Sequence, residues 1–183
     1  MEAQRLLIEA AQRGSVEAFE QLIISVERQM LAVAAGLASY PDEADDIYQE
    51  ALIKAFKALP TFRLESQFST WLYRIFVHTA LAYRKKLGNR FSRHFQDEDE
   101  HGYWTEQYLN PDHEVENTQL NRAINRAIKS LSERERVSFV LCHQQELSIG
   151  EAAAVMACTE GSVKSYLFRA RDKLRKLLQE YQR

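Results

Sequence analysis

The feature that most constrains this chain is the spacing of its apolar residues. Over most of the sequence they recur three and four positions apart, and no stretch of useful length alternates as a strand would. Each such segment must bury one stripe against a neighbour, so the expected fold is all-α. Composition agrees, because 6 glycines and 3 prolines in 183 residues leave few helix-breaking positions. No run of about 18 apolar residues is available to cross a bilayer. The N-terminal "MEAQRLLIEAAQRG" is too polar for a signal peptide, and two cysteines, Cys142 and Cys158, make no disulfide framework. A cytoplasmic chain with reduced thiols is expected.

The breaks in the pattern divide the chain. Leu6, Leu7 and Ala10 precede a stop at Gly14, and Ser15 is placed to cap a long helix carrying Phe19, Leu22, Ile23, Val26, Met30, Val33 and Leu37. Tyr40-Pro41-Asp42 ends it. A further helix starts at Asp42 or a neighbour and runs to Pro60, with Tyr48, Leu52, Ala55, Phe56 and Leu59 as its buried stripe. "TFRLESQ" then leads into a helix with Trp71, Leu72, Ile75, Phe76 and Tyr83, closed by Gly88. Periodicity fails from Gly88 to Thr118 and resumes with Leu120, Ala123, Ile124, Ala127, Ile128 and Leu131. Two capping boxes follow, Ser132-x-x-Glu135 and Ser148-x-x-Glu151. Two small helical domains are expected, 1–87 and 119–183, joined by a flexible linker at 88–118.

Charge follows the same division. Residues 1–87 hold 10 Lys and Arg against 11 Asp and Glu, residues 88–118 hold 2 against 8, and residues 119–183 hold 12 against 7. The overall −2 therefore conceals a basic C-terminal module behind an acidic spacer. The spacer carries Phe91, Phe95, Tyr103, Trp104 and Tyr108, more aromatic residues than a plain tether needs. Its His94, His101 and His113 are too irregularly spaced for a metal site, and no cofactor is expected.

"SIGEAAAVMA", a short turn at "CTEG" and "SVKSYLFRARDKLRKLL" have the layout of a helix-turn-helix. Ala152, Ala153 and Val155 would pack the first helix, and Gly161 would relieve the break. Val163, Leu167, Ala170, Leu174 and Leu177 would seat the second helix. This leaves Ser162, Lys164, Ser165, Tyr166, Phe168 and Arg169 where a recognition helix meets base edges, with Arg169 suited to bidentate guanine contact and Lys164 and Arg171 to phosphate. Lys173, Arg175 and Lys176 equally suit a simple role complementing the helix dipole.

In the first domain, "DEADDIYQEALIKAFKAL" leaves Asp46, Gln49, Glu50, Lys54 and Lys57 on the side opposite its apolar stripe. A solvated face with Glu50–Lys54 pairing explains it equally well. The next helix, "FSTWLYRIFVHTALAYRKK", interleaves aromatic and basic residues, a pattern suited to single-stranded nucleic acid. Trp71 and Leu72, in phase with Ile75, read as core.

Together these segments resemble an extracytoplasmic-function sigma factor of bacterial RNA polymerase. "ADDIYQEALIKAFKAL" is similar to the family's polymerase-clamp-binding helix, "SQFSTWLYRIFVHTALAYRKK" to its promoter-melting segment, and Leu131 to Leu178 to its promoter-reading domain. The resemblance implies that Asp46, Gln49 and Glu50 bind core RNA polymerase. It implies that Arg63, Ser66, Phe68, Ser69 and His78 help capture minus-ten DNA, with Arg84, Lys85 and Lys86 on the upstream backbone. Ser162, Lys164, Ser165, Tyr166, Phe168, Arg169 and Arg171 would read the minus-thirty-five element. It further implies an anti-sigma partner, and a linker threading the polymerase channel as a nucleic-acid mimic. His78 stands where many relatives carry Asn, Ala82 where many carry Asp, and Tyr166 where Arg is common. Two other readings compete: a stand-alone helix-turn-helix regulator with a sensor domain, and a nucleic-acid-processing enzyme. The second lacks any clustered catalytic carboxylates, nucleophile–base pair or metal ligands.

Overall fold

A computed structural model describes residues 2–39, 41–91 and 118–181. Among them the chain forms helices α1 (Glu2–Gln12), α2 (Val16–Ile24), α3 (Glu27–Leu37), α4 (Pro41–Ala58) and α5 (Phe68–Phe91), then α6 (Thr118–Lys129), α7 (Glu133–Phe139), α8 (Ile149–Met156) and α9 (Glu160–Leu177). Short 3₁₀ turns cover Leu59–Thr61 and Gln179–Tyr181. No strand occurs among the described residues, and none of their helices is long and apolar enough to cross a membrane. The linker aromatics Phe95, Tyr103, Trp104 and Tyr108, and its three histidines, lie outside the described residues.

Several boundaries differ from the sequence expectation. The helix expected from Ser15 through Leu37 is two helices. Ser15 does cap α2, its hydroxyl accepting from the Ala18 N–H at 3.1 Å, but the Ser25 hydroxyl donates back to the Leu22 carbonyl at 2.7 Å. A side chain competing for a helix carbonyl favours a break there, and α3 starts two residues later. Gly88 does not close α5, which continues to Phe91, because one glycine inside a helix costs only about 1 kcal/mol relative to alanine. Pro41 begins α4, as a proline without an N–H can in a first turn. Just upstream, the Ser39 N–H donates to the Glu43 carboxylate at 2.7 Å.

In the first domain α3, α4 and α5 pack against one another, while α1 pairs with α2 and touches the 3₁₀ turn. The stripe of α4 is rotated from the expected one. Ile47, Ala51, Ala55 and Leu59 are fully buried, Tyr48 and Leu52 form its shoulder, and Phe56 lies at the exposed edge against Phe19. Gln12 at the end of α1 donates to the Leu59 and Phe62 carbonyls at 3.1 and 2.7 Å, pinning the loop that delivers α5.

In the second domain α9 rests on α7 and α8, and α6 adds a satellite cluster in which Ala127, Ile128 and Leu131 meet Ala170 and Leu174. Both capping boxes form. The end of α7 widens into π-type bonding over Val140–Gln144, with the Gln145 N–H reaching the Val140 carbonyl. The domains are not held apart: α8 packs on α5, the widened turn packs on α3, and one apolar core runs from Ile8 to Leu167.

Glu135 links local capping to tertiary structure. Its carboxylate accepts the Ser132 N–H at 3.0 Å and the Lys173 ammonium at 2.7 Å. Burial raises its pKa, but the hydrogen bonds from Lys173 and Ser132 outweigh burial and hold it below the usual 4.5. A depressed folded value means that this contribution is full above pH 4.5 and is lost as pH falls through the folded value. Glu135→Gln should therefore lower stability by about 1–2 kcal/mol at neutral pH in urea unfolding. The difference from wild type should shrink in acid; a pH-independent difference would contradict this account.

Candidate DNA and partner interfaces

The helix-turn-helix is built from α8, a tight turn and α9. The turn hinges on Ala157, which caps α8 in the left-handed conformation at φ 50°. Gly161 was expected to relieve this break, but it lies inside the first turn of α9. Thr159 caps α9, its hydroxyl accepting the Ser162 N–H at 3.2 Å. Ala152, Val155, Val163 and Leu167 fill the space between the two helices and fix the rotation of α9. Ala170 and Leu174 continue the seat, whereas Leu177, expected there, is 53% exposed because the chain has left the core.

That rotation sends Lys164, Ser165, Phe168, Arg169 and Arg171 to solvent, with Ser162 and Tyr166 half-buried at the edges. Phe168 is 73% exposed, a large apolar surface with no internal reason to face water. Ser165 donates to the Gly161 carbonyl at 2.9 Å, and Lys164 lies 3.9 Å from Glu160. Lys173 is drawn to Glu135 and Lys176 to Asp172 at 2.8 Å, while Arg175 is exposed.

Arg171 donates from Nε to the Nε2 of His143 at 3.1 Å. Only a neutral imidazole can accept this bond. Burial, and then the Arg171 charge, push the His143 pKa below its usual 6.5.

In the first domain Asp46 and Gln49 are exposed and Glu50 half-exposed, in one stripe with Ile53, Phe56 and Lys57. Ile53 is 56% exposed at its centre. Sequence reasoning missed it by counting charges; its apolar character at i+3 from Glu50, off the core stripe, was the available signal. Asp46 accepts the Tyr83 hydroxyl at 2.5 Å, and this bond, ahead of burial, pushes the Tyr83 phenol up to about 12. Glu50 pairs with Lys54 at 2.7 Å, and Lys54 also reaches the Thr79 hydroxyl at 3.4 Å.

The third group divides. Arg63 and Ser66 are exposed in the loop, where Leu64 takes φ 60°, and Ser69 is half-buried at the start of α5. His78 and Lys85 are exposed and Arg84 half-buried along α5; Lys86 belongs to the same helix. Phe68 is a correction. It is 2% exposed, its ring 6.2 Å from Phe62 and 5.7 Å from Trp71, so it packs the start of α5 rather than presenting a face to DNA. The Phe62–Trp71 contact at 5.0 Å completes the cluster. No group of metal-binding side chains occurs among the described residues.

A helix-turn-helix with an exposed apolar–basic face, coupled to a helical domain bearing an acidic–apolar stripe and a basic helix, is the architecture of a DNA-binding protein. The sigma-70 region 2 family matches residues 22–90 and the sigma-70 region 4 family residues 121–174. The ECF RNA polymerase sigma-E factor of Escherichia coli K12 is 36% identical over 175 residues, covering 92% of this chain and 90% of that protein. The RNA polymerase sigma-H factor of Pseudomonas aeruginosa is 33% identical over 183 residues, covering 97% and 95%. Among solved structures, the sigma factor RpoE of Bartonella quintana, in complex with the anti-sigma factor NepR, superposes with a TM-score of 0.74 at 26% identity over 90% of this chain and 98% of that one. CnrH in complex with the cytosolic domain of CnrY has the same fold, with a TM-score of 0.68 at 23% identity over 97% and 98% of the two chains. The chain belongs to the extracytoplasmic-function sigma factors of RNA polymerase.

The His143–Arg171 contact carries a pH signature. A histidine whose folded pKa is lowered favours folding above its unfolded value, and that preference fades as pH drops through the folded one. NMR titration should place the His143 midpoint below 6.5, and Arg171→Ala should raise it. A wild-type midpoint at or above 6.5 would contradict the bond.

Proposed function

We infer that this chain works as an alternative sigma factor, binding core RNA polymerase and directing promoter-specific initiation under the control of an anti-sigma factor. The single observation that carries the reading is that the two sigma regions occur in order in one chain, on a fold whose exposed faces are chemically distinct. It acts as an initiation factor and not an enzyme, in the cytoplasm where polymerase works. A stand-alone regulator would need no region 2, which the chain carries over residues 22–90.

In this proposal residues 1–87 hold polymerase and open DNA, 88–118 connect, and 119–183 read the upstream duplex. Asp46, Gln49 and Glu50 meet the polymerase clamp, with Ile53 as the apolar centre of the patch. Such an arrangement of an apolar anchor in a polar rim fits a protein interface. Arg63, Ser66, Ser69 and His78 line the approach to an extruded minus-ten base, which costs a few kcal/mol to unstack. Phe68 contributes by holding the loop and α5 in register. Arg84, Lys85 and Lys86 follow the backbone. On α9, Arg169 reads a base edge, Lys164 and Arg171 hold phosphates, and Phe168, with Tyr166 beside it, offers contact to a thymine methyl or a sugar. Ser162 and Ser165 sit at the N-terminal half of the helix, where phosphate approaches most closely. Two modest interfaces held on one enzyme gain avidity without new contacts.

Run-off transcription with purified core polymerase on a promoter library tests this division. Asp46→Ala with Glu50→Ala should abolish core binding, and Ile53→Asp should do the same. Arg169→Ala should keep core binding but lose promoter choice, at about 1–3 kcal/mol for the guanine contact. Wild-type behaviour in all three would assign the faces wrongly.

A further inference from the structure

We propose that Gln12, in the last turn of α1, is a positioning residue for minus-ten base selection: its side-chain amide fixes the loop at 63–67 in the shape that meets an extruded base. The proposal rests on the sigma-factor reading above, in which Arg63 and Ser66 of that loop approach the base. Gln12 lies 47 and 50 residues before the carbonyls that it holds, those of Leu59 and Phe62. Both bonds leave the one amide nitrogen, at 3.1 and 2.7 Å, so each of its N–H groups goes to a different carbonyl. Only the nitrogen end of a glutamine amide can donate, so two carbonyl partners fix its orientation.

α1 is a firm mount for this contact. Ile8 and Ala11 are buried, and the helix stops at Gly14, whose φ of 99° suits a residue without a Cβ. There the Gly14 N–H donates to the Ala11 carbonyl at 2.9 Å and the Ser15 N–H to the Ala10 carbonyl at 3.2 Å, a paired closure of the helix end. Gln12 is thereby held where α1 meets the 3₁₀ turn. Within that turn the Phe62 N–H donates to the Leu59 carbonyl at 3.0 Å, and the Thr61 hydroxyl to the Ala58 carbonyl at 2.7 Å. These local bonds close the turn without reaching the loop. The Phe62 carbonyl belongs to the peptide that leads into Arg63, and Gln12 is its donor. The Phe62 ring packs on Phe68 and Trp71, so ring and carbonyl of one residue are held at once.

The loop needs a hold from outside. Every residue from 63 to 67 is exposed, while the flanking Phe62 and Phe68 are buried. Inside it, Arg63 and Glu65 pair at 4.0 Å with both side chains in water, and the Ser66 hydroxyl reaches the Gln67 carbonyl at 3.3 Å. Exposed pairs of this kind contribute little. Leu64 nevertheless takes the left-handed region at φ 60°, which a side chain with a Cβ resists unless its surroundings impose it. Leu64 is 41% exposed and outside the apolar core, so the strain does not arise from packing it. Backbone strain of this sort collects at binding sites. With one end set by α5 and the other by Gln12, the loop presents Arg63, Leu64 and Ser66 as a preformed set. Releasing the Phe62 end lets Leu64 relax, and a loop free to re-pack around its ligand discriminates less sharply.

Gln12→Met in the full chain keeps the side-chain length and the helix propensity but removes both donors. Run-off transcription with core polymerase is measured on promoters that differ by single bases in the minus-ten element. Wild type should discriminate by about fivefold or more per changed base, and Gln12→Met should lose most of that preference. The ratio between promoters does not depend on how much protein is folded, so a mere loss of stability would leave it unchanged. Core binding, and binding of a minus-thirty-five duplex, should stay within about twofold of wild type. Gln12→Lys, whose ammonium can donate to both carbonyls, should restore the preference. Trypsin reads the loop directly: native-state cleavage after Arg63 should be about fivefold or more faster in Gln12→Met than in wild type. An unchanged promoter ratio, unchanged cleavage after Arg63, or equal loss in Gln12→Met and Gln12→Lys would each overturn the proposal. If the wild-type chain itself drives no transcription with core polymerase, the sigma reading fails instead and the role in base selection falls with it, whereas the cleavage rates still report whether Gln12 holds the loop.

Discussion

The packing of α4 sets the terms for everything around it. Ile47, Ala51, Ala55 and Leu59 repeat every four residues, and the two alanines let α3 and α5 approach closely along a narrow seam. A seam that narrow leaves most of the α4 circumference outside the core. Asp46, Gln49 and Ile53 are exposed and Glu50 half-exposed for that reason, not because the sequence is polar there. The same seam holds α5 in a fixed rotation, with Leu72 and Phe76 inward and His78 and Lys85 outward. The Tyr83–Asp46 bond then ties the outer side of α4 to α5.

The second domain solves its orientation problem differently. α9 is basic and would be a poor packing element by charge alone, yet Val163, Leu167, Ala170 and Leu174 give it one apolar edge. Glu135, already occupied in capping α7, takes up Lys173. Charge near the helix end is thus partly neutralised, while the N-terminal half keeps Lys164, Phe168 and Arg169 in solvent. Exposed and structurally engaged side chains thus occupy successive turns of one helix. In the second domain, buried Arg136 Nε and Nη1 and Gln144 Oε1 have no hydrogen-bond partner among the described residues.

Much of this was legible in the chain itself. The capping serines Ser132 and Ser148, the cap at Ser15 and the packing of α8 on α9 follow from local rules, because a cap or an i+4 pair needs only neighbours in sequence. Errors arose where a local pattern had two solutions. The α4 stripe could be drawn through Tyr48, Leu52 and Phe56 or through Ile47, Ala51 and Ala55. Alanine carries too little hydrophobic signal to decide between them. Phe68 could be base platform or core, since an aromatic residue at a helix start suits both, and only its contacts with Phe62 and Trp71 settle its packing.

The sequence alone therefore determined the helical class, the division into a mixed-charge and a basic half, and the identity of the two motifs, since each depends on periodicity and spacing within a short window. Tertiary structure decided which faces look outward and that the halves share a core. Those outcomes depend on contacts between residues far apart in the chain, such as Gly36 with Val140 and Arg74 with Ala154. No local preference encodes them, because the free energy that selects them exists only once both surfaces are already formed.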